Sequence, residues 1–229
     1  EQGYFGKTDV LIFDEGYASS TESDDGTLYR YTLLLYRYRT RCTDIREYAA
    51  RFGDYFQGML LMGAVSGVRA YRYKNLCLNF FKLMKGENII SKTGIKKQNE
   101  VITSFQWRSS VLLLTDNEQL VNRFSNDTLT NFSYTVKGYS DIYKISRHAN
   151  SEETYQKTPT YLSTWIASGA LDLHLGKDAQ LIYHNYKTLG MADITLKIYD
   201  NKRHALLFGK DRINVYTDIL TWLNARTYI

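Results

Sequence analysis

Among the residues able to do chemistry in this chain of 229 amino acids, His204 has the most informative setting. It lies beside Arg203 in a loop that follows an alternating segment, where Ile194, Leu196 and Ile198 are separated by polar residues. After the loop, Ile213, Val215, Tyr216, Ile219, Leu220 and Leu223 recur at the three-to-four spacing of a helix face. An imidazole held between a strand and a helix can take up and return a proton near neutral pH. The partners such a base would need are harder to find. No Gly-x-Ser-x-Gly occurs anywhere in the chain. Ser66, in Gly63-Ala64-Val65-Ser66-Gly67, reads as a loop residue. Gly138-Tyr139-Ser140-Asp141 begins like a nucleophile turn but lacks the closing glycine and a clear preceding strand. His174 and His184 with Asp172 and Asp178 fit no standard metal-ligand spacing and read as surface or loop residues. No glycine-rich phosphate loop follows a strand, which leaves nucleotide binding without support. Asn126-Asp127-Thr128 and Asn131-Phe132-Ser133 match the glycosylation pattern, read as chance without a secretion signal.

Composition sets the frame for these residues. A chain of this length can bury one substantial core, and 44% hydrophobic with 23% charged residues is ordinary for a globular protein. The net charge of +5 is spread along the chain apart from Arg37, Arg39, Arg41 and Lys96-Lys97, so a solvated basic surface is expected and no nucleic-acid partner. Cys42 and Cys77 suggest neither a disulfide framework nor a zinc site, and reduced cysteines in a cytoplasmic protein are the plain expectation. The longest apolar run, Gly58 to Val65, has strand length only, so no transmembrane segment is expected.

The elements that would position the candidate residues alternate between strand and helix. Residues 1 to 28 hold Gly3-Tyr4-Phe5-Gly6 and an acidic turn, Ser23-Asp24-Asp25-Gly26. Tyr29 to Tyr38 is apolar and aromatic enough for a strand; Thr43 to Phe52 suits a helix capped by Gly53; Gln57 to Gly63 reads as a buried strand. From about residue 68 to 150 helical signals dominate, over Tyr73 to Lys85 and Asp116 to Phe124. A strand at Tyr161 to Ser168 and a helix at Asp178 to Leu189, ended by Gly190, restore the first rhythm. Near-continuous apolar strands between helices indicate an α/β fold with a mostly parallel sheet. Residues 1–67 and 151–229 would form its two parts and residues 68–150 a helical insertion.

Several segments in shared order resemble the lysophospholipase and monoacylglycerol-lipase-like hydrolases of the α/β-hydrolase superfamily, a serine-aminopeptidase-type group. Gly3-Tyr4-Phe5-Gly6 is similar to a Gly-Phe-Phe-Gly segment upstream of the family's nucleophile. Arg46-Glu47-Tyr48, Arg51-Phe52-Gly53-Asp54 and Gly58-Met59-Leu60-Leu61-Met62-Gly63 look like the helix and strand after it. Phe105-Gln106-Trp107 and Thr115-Asp116-Asn117-Glu118, then Asn126-Asp127, resemble a cap pattern, and Lys157-x-Pro159 precedes the next strand. The family's last strand ends in a Gly-Arg-His-Glu loop, matched here at Arg203-His204.

The resemblance implies an α/β-hydrolase-like sheet with a helical cap at 68–150. It also implies carboxylic-ester hydrolysis through an acyl-enzyme, with no metal or organic cofactor. Gly169-Ala170-Leu171-Asp172 matches the family's acid loop, so Asp172 would orient His204, the base. The family's Gly-His-Ser-Met-Gly elbow falls on Arg37-Tyr38-Arg39-Thr40-Arg41: both glycines are arginine, and Arg39 stands where the serine would be. Ser140, Asp172 and His204 follow the family's chain order, yet Ser140 falls in the cap. The His-Gly oxyanion motif of the family lies upstream of the Gly-Phe-Phe-Gly match, so that motif and the early strands are expected to be missing. Their absence would bare the edge of the strand ending at Tyr38, to be met by a longer parent chain, a homo-oligomer or a rearranged fold. The implied protein is a catalytically impaired ester-hydrolase homologue. A non-enzymatic alternative would use the former acyl pocket, with Phe105, Trp107 and Phe132 against a small acyl or lipid-like ligand, or an exposed sheet edge.

Overall fold

The computed structural model describes residues 10–13, 32–38, 42–56, 58–66, 71–86, 115–126, 135–172 and 176–226. Among the described residues, five parallel strands form one sheet in the order β1-β2-β3-β4-β5: β1 (Val10–Phe13), β2 (Thr32–Tyr38), β3 (Gly58–Met62), β4 (Ser163–Gly169) and β5 (Ile194–Tyr199). Sequential strands lie side by side, each reached by a crossover, which is how parallel neighbours must be joined.

The central strand shows why the sheet is buried on both faces. Every residue of β3 is buried, and alternate side chains serve opposite layers. Met59 and Leu61 join a core with Cys42, Ile45 and Ala49 of α1 (Cys42–Phe52) and Ala179, Ile182 and Tyr186 of α6 (Gly176–Thr188). Leu60 and Met62 face Trp165, Tyr199 and the last helix, α7 (Arg212–Asn224). The continuous apolar run thus follows from having helices on both sides. Between β3 and β4 lie α2 (Tyr71–Lys85), α3 (Glu118–Asn126), α4 (Val136–Ala149) and α5 (Glu152–Lys157). Leu78 of α2 packs on Val136 and Tyr143 of α4, while α4 and α5 both pack against α1. The hydroxyls of Thr135 and Ser151 accept backbone N–H bonds from Gly138 and Thr154, capping α4 and α5.

Three expectations are corrected. Residues 1 to 28 were assigned a Gly-rich entry and an acidic turn; within them Val10–Phe13 forms β1 and pairs with Thr32–Leu35. The edge expected to be bare is therefore hydrogen-bonded along that stretch. Gly53 does not cap α1 through a left-handed turn; it opens a 3-10 turn at Gly53–Tyr55, and a Cβ there would stand 2.5 Å from Pro159 Cδ. Close approach, not backbone freedom, requires that glycine. On α7 the buried face is Val215, Trp222 and Leu223, with Ile219 partly buried, while Ile213 and Leu220 are well exposed. Trp222 has the larger apolar surface to remove from water and turns the helix toward itself. Gly190, by contrast, has φ +91°, as a glycine ending α6 should.

Candidate active site

The carboxyl ends of the strands lie along one edge of the sheet, where open α/β sheets place their ligands. Tyr38, the last residue of β2, is level with Met62, the last of β3, and Met62 with Ala167 near the end of β4. The loops leaving β4 and β5 are pressed together there. Ala170 N donates to Tyr199 O at 2.8 Å, Leu171 N to Lys202 O at 2.9 Å and Asp172 N to Gly169 O at 3.0 Å. A Cβ on Gly169 would come within 2.3 Å of Lys202 O and 2.4 Å of Arg203 O. Only glycine permits this backbone contact. Asn201 turns the chain after β5 with φ +57°, a conformation asparagine tolerates.

These turns bring Asp172 and His204, 32 residues apart, into a hydrogen bond of 2.7 Å between Oδ2 and Nδ1. Both residues are buried, at 7% and 6% exposure. An ionised carboxylate can only accept, so the shared proton is assigned to Nδ1 and the neutral ring carries its basic lone pair on Nε2. That tautomer is the one a general base needs. The ring reaches from the β5 loop across β4 to the end of β3, where it lies on Gly63. A Cβ there would be 2.5 Å from His204 Cε1 and 2.9 Å from Nδ1, and Gly63 has φ +60°. The chain leaves β2 beside Met62, whose successor is this same Gly63.

The loop after Gly63 is itself fixed. Val65 O accepts from Asn150 Nδ2 at 3.2 Å and from Arg46 Nη1 at 3.4 Å, and Ser66 Oγ donates to Asp178 Oδ1 at 2.6 Å. Arg46 is fully buried, bonding Asn150 Oδ1 at 2.7 Å and Tyr186 OH at 3.3 Å and lying 4.6 Å from the centre of the Tyr155 ring. Burial, the largest influence, works against its charge, but Tyr186, Tyr155 and Cys42 outweigh it and the pKa is raised.

Other candidates are placed less favourably. Ser140 lies inside α4, past its first turn. Ser66 is engaged by Asp178, and His184 is exposed on α6. Among the described residues no group of three or more His, Cys, Asp or Glu side chains could hold a metal ion. Neither Cys42 nor Cys77 is in a disulfide, and Cys42 Sγ donates to Met62 O at 3.3 Å. Arg39, His174, Phe105, Trp107 and Phe132 lie outside the described residues. The contributions of Gly63, Gly169 and Arg46 went unread in the sequence. The one available signal was a glycine closing each of two apolar strands.

No family model matches the chain, and no curated protein matches it. Solved structures do. A highly thermostable carboxyl esterase from Bacillus coagulans, solved with glycerol, superposes with a TM-score of 0.71 at 16% identity, over 86% of this chain and 65% of its own. A lipase in its open form gives 0.69 at 17% identity, over 85% and 65%. A soluble variant of monoglyceride lipase from Saccharomyces cerevisiae, in complex with a substrate analogue, gives 0.65 at 14% identity, over 87% and 64%. The chain thus spans about two thirds of the length of these structures. It has the α/β-hydrolase fold. No helix among the described residues is long and apolar enough to cross a membrane.

Proposed function

We propose that this chain is a catalytically impaired relative of carboxylic-ester hydrolases, keeping the base and its acid but not the serine, and that it binds a small acyl or lipid-like ligand. The buried Asp172–His204 hydrogen bond, formed at the carboxyl edge of an α/β-hydrolase sheet, is the observation that carries this reading. In a serine hydrolase the imidazole takes the hydroxyl proton as oxygen attacks the ester carbonyl, and the carboxylate stabilises the resulting imidazolium. The hydrogen bond from His204 Nδ1 to Asp172 supports these roles for the pair. Arg39, aligned with the serine, cannot begin it, because a guanidinium remains protonated and offers no nucleophilic lone pair. Residues 68–150 serve in this reading as the cap over an acyl pocket. The esterase and monoglyceride-lipase neighbours support the choice of ligand class.

Turnover and binding separate the two halves of the proposal. Hydrolysis of short-chain p-nitrophenyl esters and of monoacylglycerol should be the same for the wild type and His204→Ala, while a fluorescent fatty acid still binds saturably. Ester turnover that falls at least tenfold in His204→Ala would show a working enzyme, and absence of saturable acyl binding would remove the binding role.

A further inference from the structure

The loop carrying His204 is held from outside the sheet by a short segment that begins the helix α3. Thr115, buried at 2% exposure, accepts at its carbonyl from Arg203 Nη1 at 3.2 Å, across 88 residues. Its hydroxyl donates to Phe208 O at 3.1 Å. Asp116 Oδ1 then accepts the backbone N–H of Lys210 at 3.0 Å, across 94 residues. A Cβ on Gly209 would stand 3.1 Å from the same carboxylate oxygen, so the Asp116 side chain lies directly against the backbone of this loop. The segment is rigid in its own right: Asn117 N donates to Thr115 Oγ1, and Asn117 Oδ1 accepts from Leu120 N in the first turn of α3.

These attachments straddle His204. Arg203 is the residue before it, and Phe208 and Lys210 follow on the far side, with only Ala205, Leu206, Leu207 and Gly209 between. Within the loop, Leu206 N bonds His204 O and Phe208 N bonds Ala205 O. A displacement at Phe208 is therefore passed through a hydrogen-bonded turn to His204. On the sheet side the ring lies on Gly63 and beside Asp172. A 2.7 Å hydrogen bond tolerates a shift of a few tenths of an ångström before it weakens.

We propose that Thr115 and Asp116 are positioning residues: together they form a clip by which the insertion between β3 and β4 holds His204 in register with Asp172. The clip deepens the reading of the Asp172–His204 pair given above and rests on it. Any ligand or motion that displaces the start of α3 would reach the imidazole through these bonds.

The test reads the imidazole directly, without requiring turnover. In the wild type, the deshielded Nδ1–H proton of His204, assigned by its loss in His204→Gln, should be visible by NMR. Asp116→Ala and Thr115→Val should each broaden that signal beyond detection. Asp116→Asn, which keeps the Oδ1 acceptor, and Thr115→Ser, which keeps the hydroxyl, should restore it. Asp193→Asn, a destabilising change in a different part of the fold, should leave it in place. Persistence of the signal in both Asp116→Ala and Thr115→Val overturns the clip while leaving the pair intact. Loss in Asp193→Asn as well overturns it as mere destabilisation. Absence of the signal from the wild type overturns the pair and the clip together.

Discussion

Substituting Gly63 by alanine strikes the point where the backbone and the imidazole meet. The new Cβ would lie 2.5 Å from His204 Cε1, and restoring an ordinary contact of about 3.4 Å requires a retreat of roughly 0.9 Å. A ring bonded to Asp172 at 2.7 Å cannot move that far and stay within hydrogen-bond range. Alanine at φ +60° adds strain of about 1–2 kcal/mol, and the lost charge-assisted hydrogen bond about 1.5–3 kcal/mol. The sum, about 2.5–5 kcal/mol, corresponds to a fall in melting temperature of roughly 5–20 °C for a chain of this size. Gly190→Ala is the control: φ is +91°, nothing lies within 4 Å of its Cβ, and strain alone should appear. Thermal unfolding followed by circular dichroism reads both variants, with the His204 Nδ1–H signal beside it. Equal melting temperatures for the two variants, with the signal kept in Gly63→Ala, would refute the packing of His204 on Gly63.

Further outcomes follow from the same structure. Gly169→Ala meets backbone oxygens at 2.3 and 2.4 Å, which cannot swing aside as a side chain can, so it should be less stable in urea than Gly63→Ala. Arg46→Met should cost about 2–3 kcal/mol in urea unfolding, because Asn150, Tyr186 and Val65 O lose a charged partner inside the core. Asp193 has its pKa lowered, first by the Arg226 hydrogen bond and then by that from Ser163, so its contribution is present above about pH 4 and fades as pH falls through the lower folded value. With the carboxylate partly exposed, Asp193→Asn should cost about 1 kcal/mol or less at pH 7, and the gap between variant and wild type should narrow in acid.

The sheet's centre was the most legible part of the sequence. Gly58–Met62 is apolar throughout because both its faces are covered, and a run of that kind leaves few alternatives. Val10–Phe13 is just as apolar but only four residues long, too short for any period to show. Helix α4 was missed because its buried positions, Val136, Tyr143, Ser146 and Ala149, mix sizes and polarities, leaving Thr135 as its clearest marker. On α7 the spacing identified the helix but not its orientation, which the bulk of Trp222 decided. Asp172 and His204 gave no local sign of each other, since 32 residues and a whole helix separate them. Resemblance brought them together on paper, and two backbone turns do so in the fold. Gly63 closes an apolar strand and Thr115-Asp116 falls in a cap-like segment, but that either supports the ring depends on contacts between distant parts of the chain, which neither local pattern reveals.

Fluorophosphonate labelling, read by intact mass and peptide mapping, tests the retained pair and lost nucleophile most directly. The wild type should take no adduct under conditions that label an active esterase fully. The rebuilt elbow, Arg37→Gly with Arg39→Ser and Arg41→Gly, should gain one adduct on the introduced serine, and should lose it again with His204→Ala. A stoichiometric adduct on any serine or threonine of the wild type would contradict the account and identify the nucleophile that survives.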